Sequence, residues 1–498
     1  MAEFELTVCE AGTKHARGEQ EESYDQKGAG MNTRRDFLRD SMLIGAATAI
    51  AGCAVERFGS AGAGGAMYGY ADKPMDRIRV GFVGVGKRGY AAYRRCAWLI
   101  PYIEATAVCD VDDWKCDRCE QFALDHGLNP PRKYIGPEAY KALCDDPNVD
   151  VVYNIASREM HLPVNLYGMC AGKHVMTEVP GAMTVDGCWE TVETSERTHR
   201  HCMLLENCCY GEFELLAMSL AKAGRLGEVV HGDCGYIHEQ RDLFRRMPER
   251  AKDTVNRTGN WYPTHGLGPV AVAMDINRGD RLDYLVSAET DSISFREYQL
   301  RRFADNPAKR DVRMRHGDLN TSIVRTVKGK TIMVQHDVGL ARPYSRIGQF
   351  CGTHGMLRIF PDFRLALETV PPQDGMIGYL GEKEAENVRR EYMHPLWKTA
   401  GVHARALDGG HDGMDFLMDL RWAYCLKNGL PLDLSVYDLA SWSSLVELTA
   451  RSVLSRSAAV DIPDFTRGGW KTAKPFELVD VPADILPPLD TPRFNYDI

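Results

Sequence analysis

Between residues 77 and 206 one pattern repeats: a short apolar, β-branched run, then a stretch whose apolar positions recur every three or four residues. The runs at 77–84, 104–110, 150–155, 174–178 and 202–206 predict strands. The stretches at 90–99, 114–126, 162–171 and 181–198 predict helices. Strand and helix in strict alternation predict a parallel, doubly wound sheet with helices on both faces.

After about residue 208 the pattern changes. A helical stretch at 213–223 precedes 227–236, whose apolar and polar residues alternate as in a half-buried strand. Further strands are predicted at 285–294, 320–327, 330–335 and 356–359, and helices at 413–428 and 437–456. The expected fold class is therefore α/β: a doubly wound parallel sheet over 76–207, then a second α/β domain over 208–498 with an open, mostly antiparallel sheet. No internal repeat interrupts this order.

The N-terminal 75 residues fit neither pattern. Residues 1–30 are polar and rich in Gly and Glu, and read as an extension ahead of a true start at Met31. From 32 the chain reads Asn-Thr-Arg-Arg-Asp-Phe-Leu and then runs apolar from 42 to 51, a twin-arginine export leader of the bacterial kind. Ile50-Ala-Gly-Cys53 fits either the small-residue end of that leader or a lipobox that would anchor Cys53 to lipid. Residues 54–75 are Gly/Ala-rich and read as a tether. A periplasmic or envelope-anchored protein is expected. No apolar run reaches the roughly 18 residues that span a bilayer.

At 498 residues, with 44% hydrophobic and 26% charged side chains, the composition is that of a globular protein of about two domains. The net charge of −9 argues against a nucleic-acid partner. Thirteen cysteines follow Cys53, and the Cys116/Cys119 pair lacks a second half at metal-binding spacing, so buried reduced thiols and no metal are expected. The protein is expected to be a homo-oligomer.

The clearest chemistry lies in Gly84-Val-Gly86-Lys87-Arg88-Gly89, between the first strand and first helix. Glycines there let a pyrophosphate approach the amides of a helix N-terminus. Asp110 closes the second strand at the distance from the glycines where an acid takes the adenosine ribose and favours NAD over NADP. Together they predict a Rossmann NAD-binding domain, with Lys87 and Arg88 as donors near phosphate or ribose. A dinucleotide protein exported from the cytoplasm leaves the soluble NAD pool behind. Its cofactor must be regenerated in each turnover or by an external acceptor.

Glu178-Val179-Pro180-Gly181 stands where glucose–fructose oxidoreductase-like and inositol dehydrogenase-like proteins carry Glu-Lys-Pro. Val179 can neither give nor accept a proton, a departure from an ordinary dehydrogenase of that kind. Other segments resemble glycoside hydrolase family 109, the NAD-dependent α-N-acetylgalactosaminidases. They are Leu205-Glu-Asn-Cys-Cys-Tyr210, Asn260-Trp-Tyr-Pro-Thr-His-Gly-Leu-Gly-Pro269, Met274-Asp-Ile-Asn-Arg-Gly-Asp280, Ala341-Arg-Pro-Tyr344, Gly409-Gly-His-Asp-Gly-Met-Asp415 and Ile462-Pro-Asp-Phe465.

The resemblance implies a redox-neutral glycosidase acting on terminal α-linked N-acetylgalactosamine. The sugar 3-hydroxyl is oxidised, the C2 proton becomes acidic, the anomeric group is eliminated, water adds, and the hydride returns. No pair of glycosidase carboxylates is needed. It also implies roles. Tyr262 and His265 are the catalytic candidates, in what reads as a Gly/Pro-rich loop with Pro263 and Thr264, and Tyr262 touches both cofactor and sugar. Arg158, Glu159, Met160, His161, Glu178, Val179 and Asn207 face the cofactor. Tyr236, Arg250, Pro263, Thr264 and Tyr344 contact sugar. His411 reads equally as a polar site group or a helix start. Two rivals remain: an exported sugar dehydrogenase, against which Val179 counts, and a non-catalytic sugar or nucleotide binder, against which Tyr262 and His265 count.

Overall fold

The computed structural model describes residues 65–242, 248–368, 376–407, 410–489 and 491, without the side chains of 248–251. The leader, the lipobox at Cys53 and most of the tether lie outside the described residues. Both sheets belong to one compact unit, Gly62–Ile498. No helix among the described residues is long and apolar enough to cross a membrane.

The first sheet contains β1 (Ile78–Val83), β2 (Ile103–Asp110), β3 (Arg132–Ile135), β4 (Val151–Asn154), β5 (His174–Thr177) and β6 (Cys202–Leu204). All pairings are parallel, in the order β3-β2-β1-β4-β5-β6. Helices α1 (Lys87–Leu99), α2 (Asp113–Asp125), α3 (Ala139–Asp145), α4 (Arg158–Cys170) and α5 (Val185–Thr198) connect these strands. The central strands β4 and β5 are buried at every position, as a sheet covered on both faces requires. Strand β3 and helix α3 were absent from the sequence reading, because Arg-Lys-Tyr-Ile is half-exposed and carries no apolar run.

After a 3₁₀ turn at Asn207–Tyr210 come α6 (Glu212–Lys222), β7 (Val229–Ile237), α7 (Pro248–Asn256), α8 (Thr264–Ala273) and β8 (Leu282–Glu289). Next are α9 (Ile293–Arg302), α10 (Pro307–Arg310), β9 (Leu319–Thr326), β10 (Thr331–Asp337), β11 (Gln349–Gly352), β12 (Gly355–Arg358) and β13 (Arg364–Leu367). The chain closes with α11 (Glu382–Tyr392), α12 (Pro395–Ala406), α13 (Met414–Asn428), α14 (Val436–Ser443), α15 (Leu445–Leu454) and β14 (Val460–Asp461). The second sheet runs β13-β12-β11-β7-β10-β9-β8-β14, antiparallel except for the β7/β10 pair.

Two expectations change. The strand predicted over 285–294 ends at Glu289, because the Asp318 carboxylate accepts from the amides of Ile293, Ser294 and Phe295 and so caps α9. The single helix over 437–456 is two, α14 and α15, meeting at Ser444.

Helix α8 packs on β7 of the second sheet. A Cβ on Gly266 would lie 2.4 Å from the Gly235 amide nitrogen, so only glycine lets α8 lie this close to β7. That contact brings the start of α8 against Tyr236. All thirteen described cysteines are free, and Cys170 alone is exposed.

Candidate active site

The glycine turn is shaped by two close approaches and one open space. Gly84 has φ +87°, and a Cβ on it would meet the Ile155 carbonyl at 2.5 Å. A Cβ on Gly89 would meet the Gly84 carbonyl at 1.9 Å. A Cβ on Gly86 would meet nothing within 4 Å. Gly86 is the N-cap of α1, with no side chain capping the helix and no acid in its first turn. An uncapped, positively polarised terminus facing open space fits a pyrophosphate. Asp110 ends β2, its Oδ1 held by Lys115 Nζ at 3.0 Å and the Asp112 amide at 3.2 Å. These residues fit NAD: Gly84–Gly89 would hold the pyrophosphate and Asp110 the adenosine ribose.

Arg88 does not extend toward a phosphate as its sequence position suggests. Its Nε donates to Glu178 at 2.7 Å, and both Nη atoms donate to Asp415. Asp415 also accepts from Asn207 at 2.7 Å and lies 3.0 Å from His411 Nδ1. Burial raises the Asp415 pKa, but Arg88, then His411 and Arg95, outweigh it and hold the carboxyl well below its usual range. Glu178 is likewise held low, the opposing effect of burial being outweighed by Arg88. Arg88, Glu178 and Asn207 therefore form one charged knot, centred on an aspartate that the sequence reading did not single out.

A second wall carries the candidate proton-transfer groups. His265 Nδ1 lies 2.7 Å from Glu206 Oε1, and its Nε2 lies 3.3 Å from the Tyr262 hydroxyl. Glu206 is fully buried; burial pushes its pKa up, yet His265 more than compensates and the carboxyl stays below its usual range. An ionised Glu206 fixes the proton on Nδ1 and leaves Nε2 as a base facing Tyr262. Tyr236 packs at 4.7 Å from Tyr262 and 5.7 Å from His265, ring centroid to centroid, and Tyr344 lies edge-on to Tyr236 at 6.4 Å. Arg346 donates to the Tyr344 hydroxyl at 3.0 Å and to Glu214 at 2.6 Å. Burial pushes the Tyr344 phenol up to about 12, so it remains a neutral donor.

Thr264 and His265 stand in the first turn of α8, not in a loop. Pro263 has helical dihedrals ahead of that turn, and Gly266 and Gly268 serve close packing, so a Gly/Pro-rich composition concealed a helix. Tyr236, Tyr262, His265 and Tyr344 come together. Arg158 joins them, its guanidinium 4.7 Å from the Trp261 ring and 5.3 Å from Tyr262, while it pairs with Asp253.

Lys87 and Glu159 are exposed, Met160 is half-buried, and Val179 is buried beside Glu178. His161 faces the Pro180 carbonyl at 2.7 Å and the Ala156 carbonyl at 3.1 Å, and bridges the two loops. The Arg250 side chain lies outside the described residues.

Glu206 is the main residue the sequence reading missed. A carboxylate directly after the apolar run Cys-Met-Leu-Leu was the available signal, since a buried acid requires a partner. Behind Tyr236 a second chain runs from Glu289 to His316 (2.7 Å) to His336 (3.0 Å), with both histidines buried and the Glu289 carboxylate turned inward from a half-buried residue. Glu206, Cys208 and His265 offer ligand atoms within 4.8 Å of one another. However, burial holds the Cys208 thiol well above its usual pKa, and His265 Nδ1 is already engaged by Glu206, so the set is a poor metal site.

Residues 78–205 match the family model described as oxidoreductase family, NAD-binding Rossmann fold. Residues 210–472 match the model described as glycosyl hydrolase 109, C-terminal domain. A glycosyl hydrolase family 109 protein 2 of Shewanella sp. (strain ANA-3) is 41% identical over 458 residues, covering 90% of this chain and 99% of that protein. A Bacteroides fragilis protein named alpha-N-acetylgalactosaminidase is 40% identical over 412 residues, covering 81% and 95%. Among solved structures, an inositol dehydrogenase homolog complexed with NAD+ from Azotobacter vinelandii aligns with TM-score 0.55 at 18% identity, covering 78% of this chain and 99% of that one. An oxidoreductase domain protein from Kribbella flavida aligns with TM-score 0.58 at 14% identity, covering 78% and 100%. Those two likenesses concern the fold. With both halves of the chain matched and the relatives aligned over nearly their full length, this protein is a glycoside hydrolase with an NAD-binding domain, and it belongs to glycosyl hydrolase family 109.

Proposed function

We propose that the protein removes terminal α-linked N-acetylgalactosamine by an oxidation, elimination, hydration and reduction cycle on a resident NAD. The observation that carries this reading is the Glu206–His265–Tyr262 chain, in which the carboxylates beside it among the described residues are already engaged. Glu206 is sealed behind His265, and Glu178 is engaged by Arg88. Direct displacement needs two carboxyl groups facing the scissile bond, about 5–10 Å apart.

Bound NAD would supply the acceptor for the C3 hydride and the source from which it returns. His265 Nε2, through Tyr262 or directly, takes the C3-hydroxyl proton as that hydride departs. With C3 a carbonyl, the C2 proton is acidified. Its loss to a base on this wall expels the anomeric oxygen, which takes up a proton as the aglycone leaves. Water then adds at C1 while C2 is reprotonated, and the proton taken by His265 goes back to the C3 oxygen as the carbonyl is reduced to the hydroxyl. Tyr236, Arg346 and Tyr344 line the sugar side. Residues 76–207 act as the cofactor domain and 208–498 as the sugar domain. Residues 32–53 support twin-arginine export to the periplasm or the envelope, where a cofactor restored in each cycle needs no soluble pool.

Hydrolysis of an aryl α-N-acetylgalactosaminide in D₂O, without added NAD, tests the reading. Deuterium at C2 of the released sugar and no cleavage of a 3-O-methyl substrate are the expected results. Full retention of protium at C2 rules the cycle out.

A further inference from the structure

Arg88 leaves the second position of α1, crosses the carboxyl end of β4 and reaches Glu178 just past the end of β5. In a doubly wound sheet this edge is the track along which a dinucleotide lies. Asp415, at the start of α13, grips Arg88 from the other side, and the turn before it brings His411 Nδ1 to 3.0 Å from Asp415 Oδ2 and 3.2 Å from Arg88 Nη1. Four successive residues of that turn have positive φ: Gly410 (81°), His411 (46°), Asp412 (57°) and Gly413 (94°). His411 and Asp412 are non-glycine residues in a costly conformation, which persists only where its surroundings enforce it. Here the enforcement is visible. The Gly413 amide donates to the Gly410 carbonyl at 2.9 Å, and a Cβ on Gly410 would lie 2.5 Å from Asp415 Oδ2. The turn is thus shaped to present Asp415 and His411 to Arg88.

We propose that Gly410–Asp415 is a clamp that retains the cofactor, with His411 and Asp415 as positioning residues locking Arg88 across the nucleotide track. Release of the nucleotide then requires the Arg88–Asp415 and Arg88–Glu178 pairs to open together. Asp415 is buried and anchored from below by Asn207 and Arg95, so the aspartate stays fixed while Arg88 moves. His411, 47% exposed, closes the outer side and is the part most readily altered without disturbing the core. The inference rests on the resident-NAD reading above.

The test measures exchange of bound nucleotide against radiolabelled NAD after desalting, in the wild type, His411→Ala and Asp415→Asn, with His354→Ala as a remote surface control. Melting temperature is read alongside. We expect the wild type and His354→Ala to keep near-stoichiometric nucleotide. His411→Ala should release it about tenfold faster with an unchanged melting temperature, the cost of one charge-assisted hydrogen bond. Asp415→Asn should release it faster still; if that variant does not fold, His411→Ala decides alone. A wild type that holds its nucleotide beside a His411→Ala variant with the same release rate overturns the clamp and leaves residency standing. A wild type stripped by the first desalting step overturns residency, and the clamp with it.

Discussion

At the scale of single residues, function turns on which proton each side chain can hold. Glu206 is ionised because His265 stabilises the carboxylate more than burial penalises it, and that fixes the histidine tautomer. His265→Ala removes the base, and turnover should fall by about 10²–10⁴-fold. Tyr262→Phe should fall within the same range if the phenol relays the proton. Glu206→Gln keeps the shape of the site but removes the charge that orients the ring; turnover should drop by at least about tenfold, with nucleotide content unchanged. Content is measured by absorbance after denaturation and turnover with an aryl glycoside. Near wild-type rates in all three variants would make the chain a packing feature. The candidate pair Tyr262 and His265 was legible in the string Tyr-Pro-Thr-His. Its carboxylate partner was not, because Glu206 and His265 lie 59 positions apart and meet only when α8 is laid beside the end of β6.

At the scale of elements, the glycine turn separates binding from folding. Gly86 faces open space whereas Gly89 touches the Gly84 carbonyl. A methyl group at 86 should leave the empty protein's stability within about 0.5 kcal/mol of wild type while abolishing nucleotide retention. At 89 it should cost about 2 kcal/mol or more and lose the nucleotide as well, since the turn must shift to admit it. Urea unfolding beside nucleotide content separates the two cases; equal stability losses would contradict the geometry. The strand–glycine–helix sequence was readable beforehand because each part is local. Helix α8 was not, because its glycines serve a contact with β7 that no local pattern encodes.

At the scale of the whole molecule, buried histidines set the response to acid. Burial pushes His174 down to about 4, His201 to about 3 and His394 to about 4, and holds His336 low as well. Each is neutral in the folded protein, whereas in the unfolded chain it takes a proton once the pH drops below about 6.5. Their contribution is therefore complete above about pH 6.5 and is lost as pH falls toward 4, at up to about 1.4 kcal/mol per pH unit for each group. The urea midpoint should decline from pH 7 to pH 5, before most carboxylates titrate. A flat or rising midpoint over that interval would show that these rings are protonated in the folded state.

What the sequence determined by itself is whatever short-range chemistry specifies. The alternation of strand and helix, the NAD turn with Asp110, the family's motifs and the aromatic and histidine candidates were all legible, because periodicity and turn geometry act over a few residues. Tertiary structure decided the rest. It placed Glu206 behind His265, turned Arg88 from a supposed phosphate donor into the link between Glu178 and Asp415, and made β7 and β10 parallel neighbours in an otherwise antiparallel sheet. The physical reason is common to the first two. A buried charge must find its counter-charge wherever the fold delivers one, and the separations of 59, 90 and 327 positions between those partners lie beyond anything a local pattern can specify.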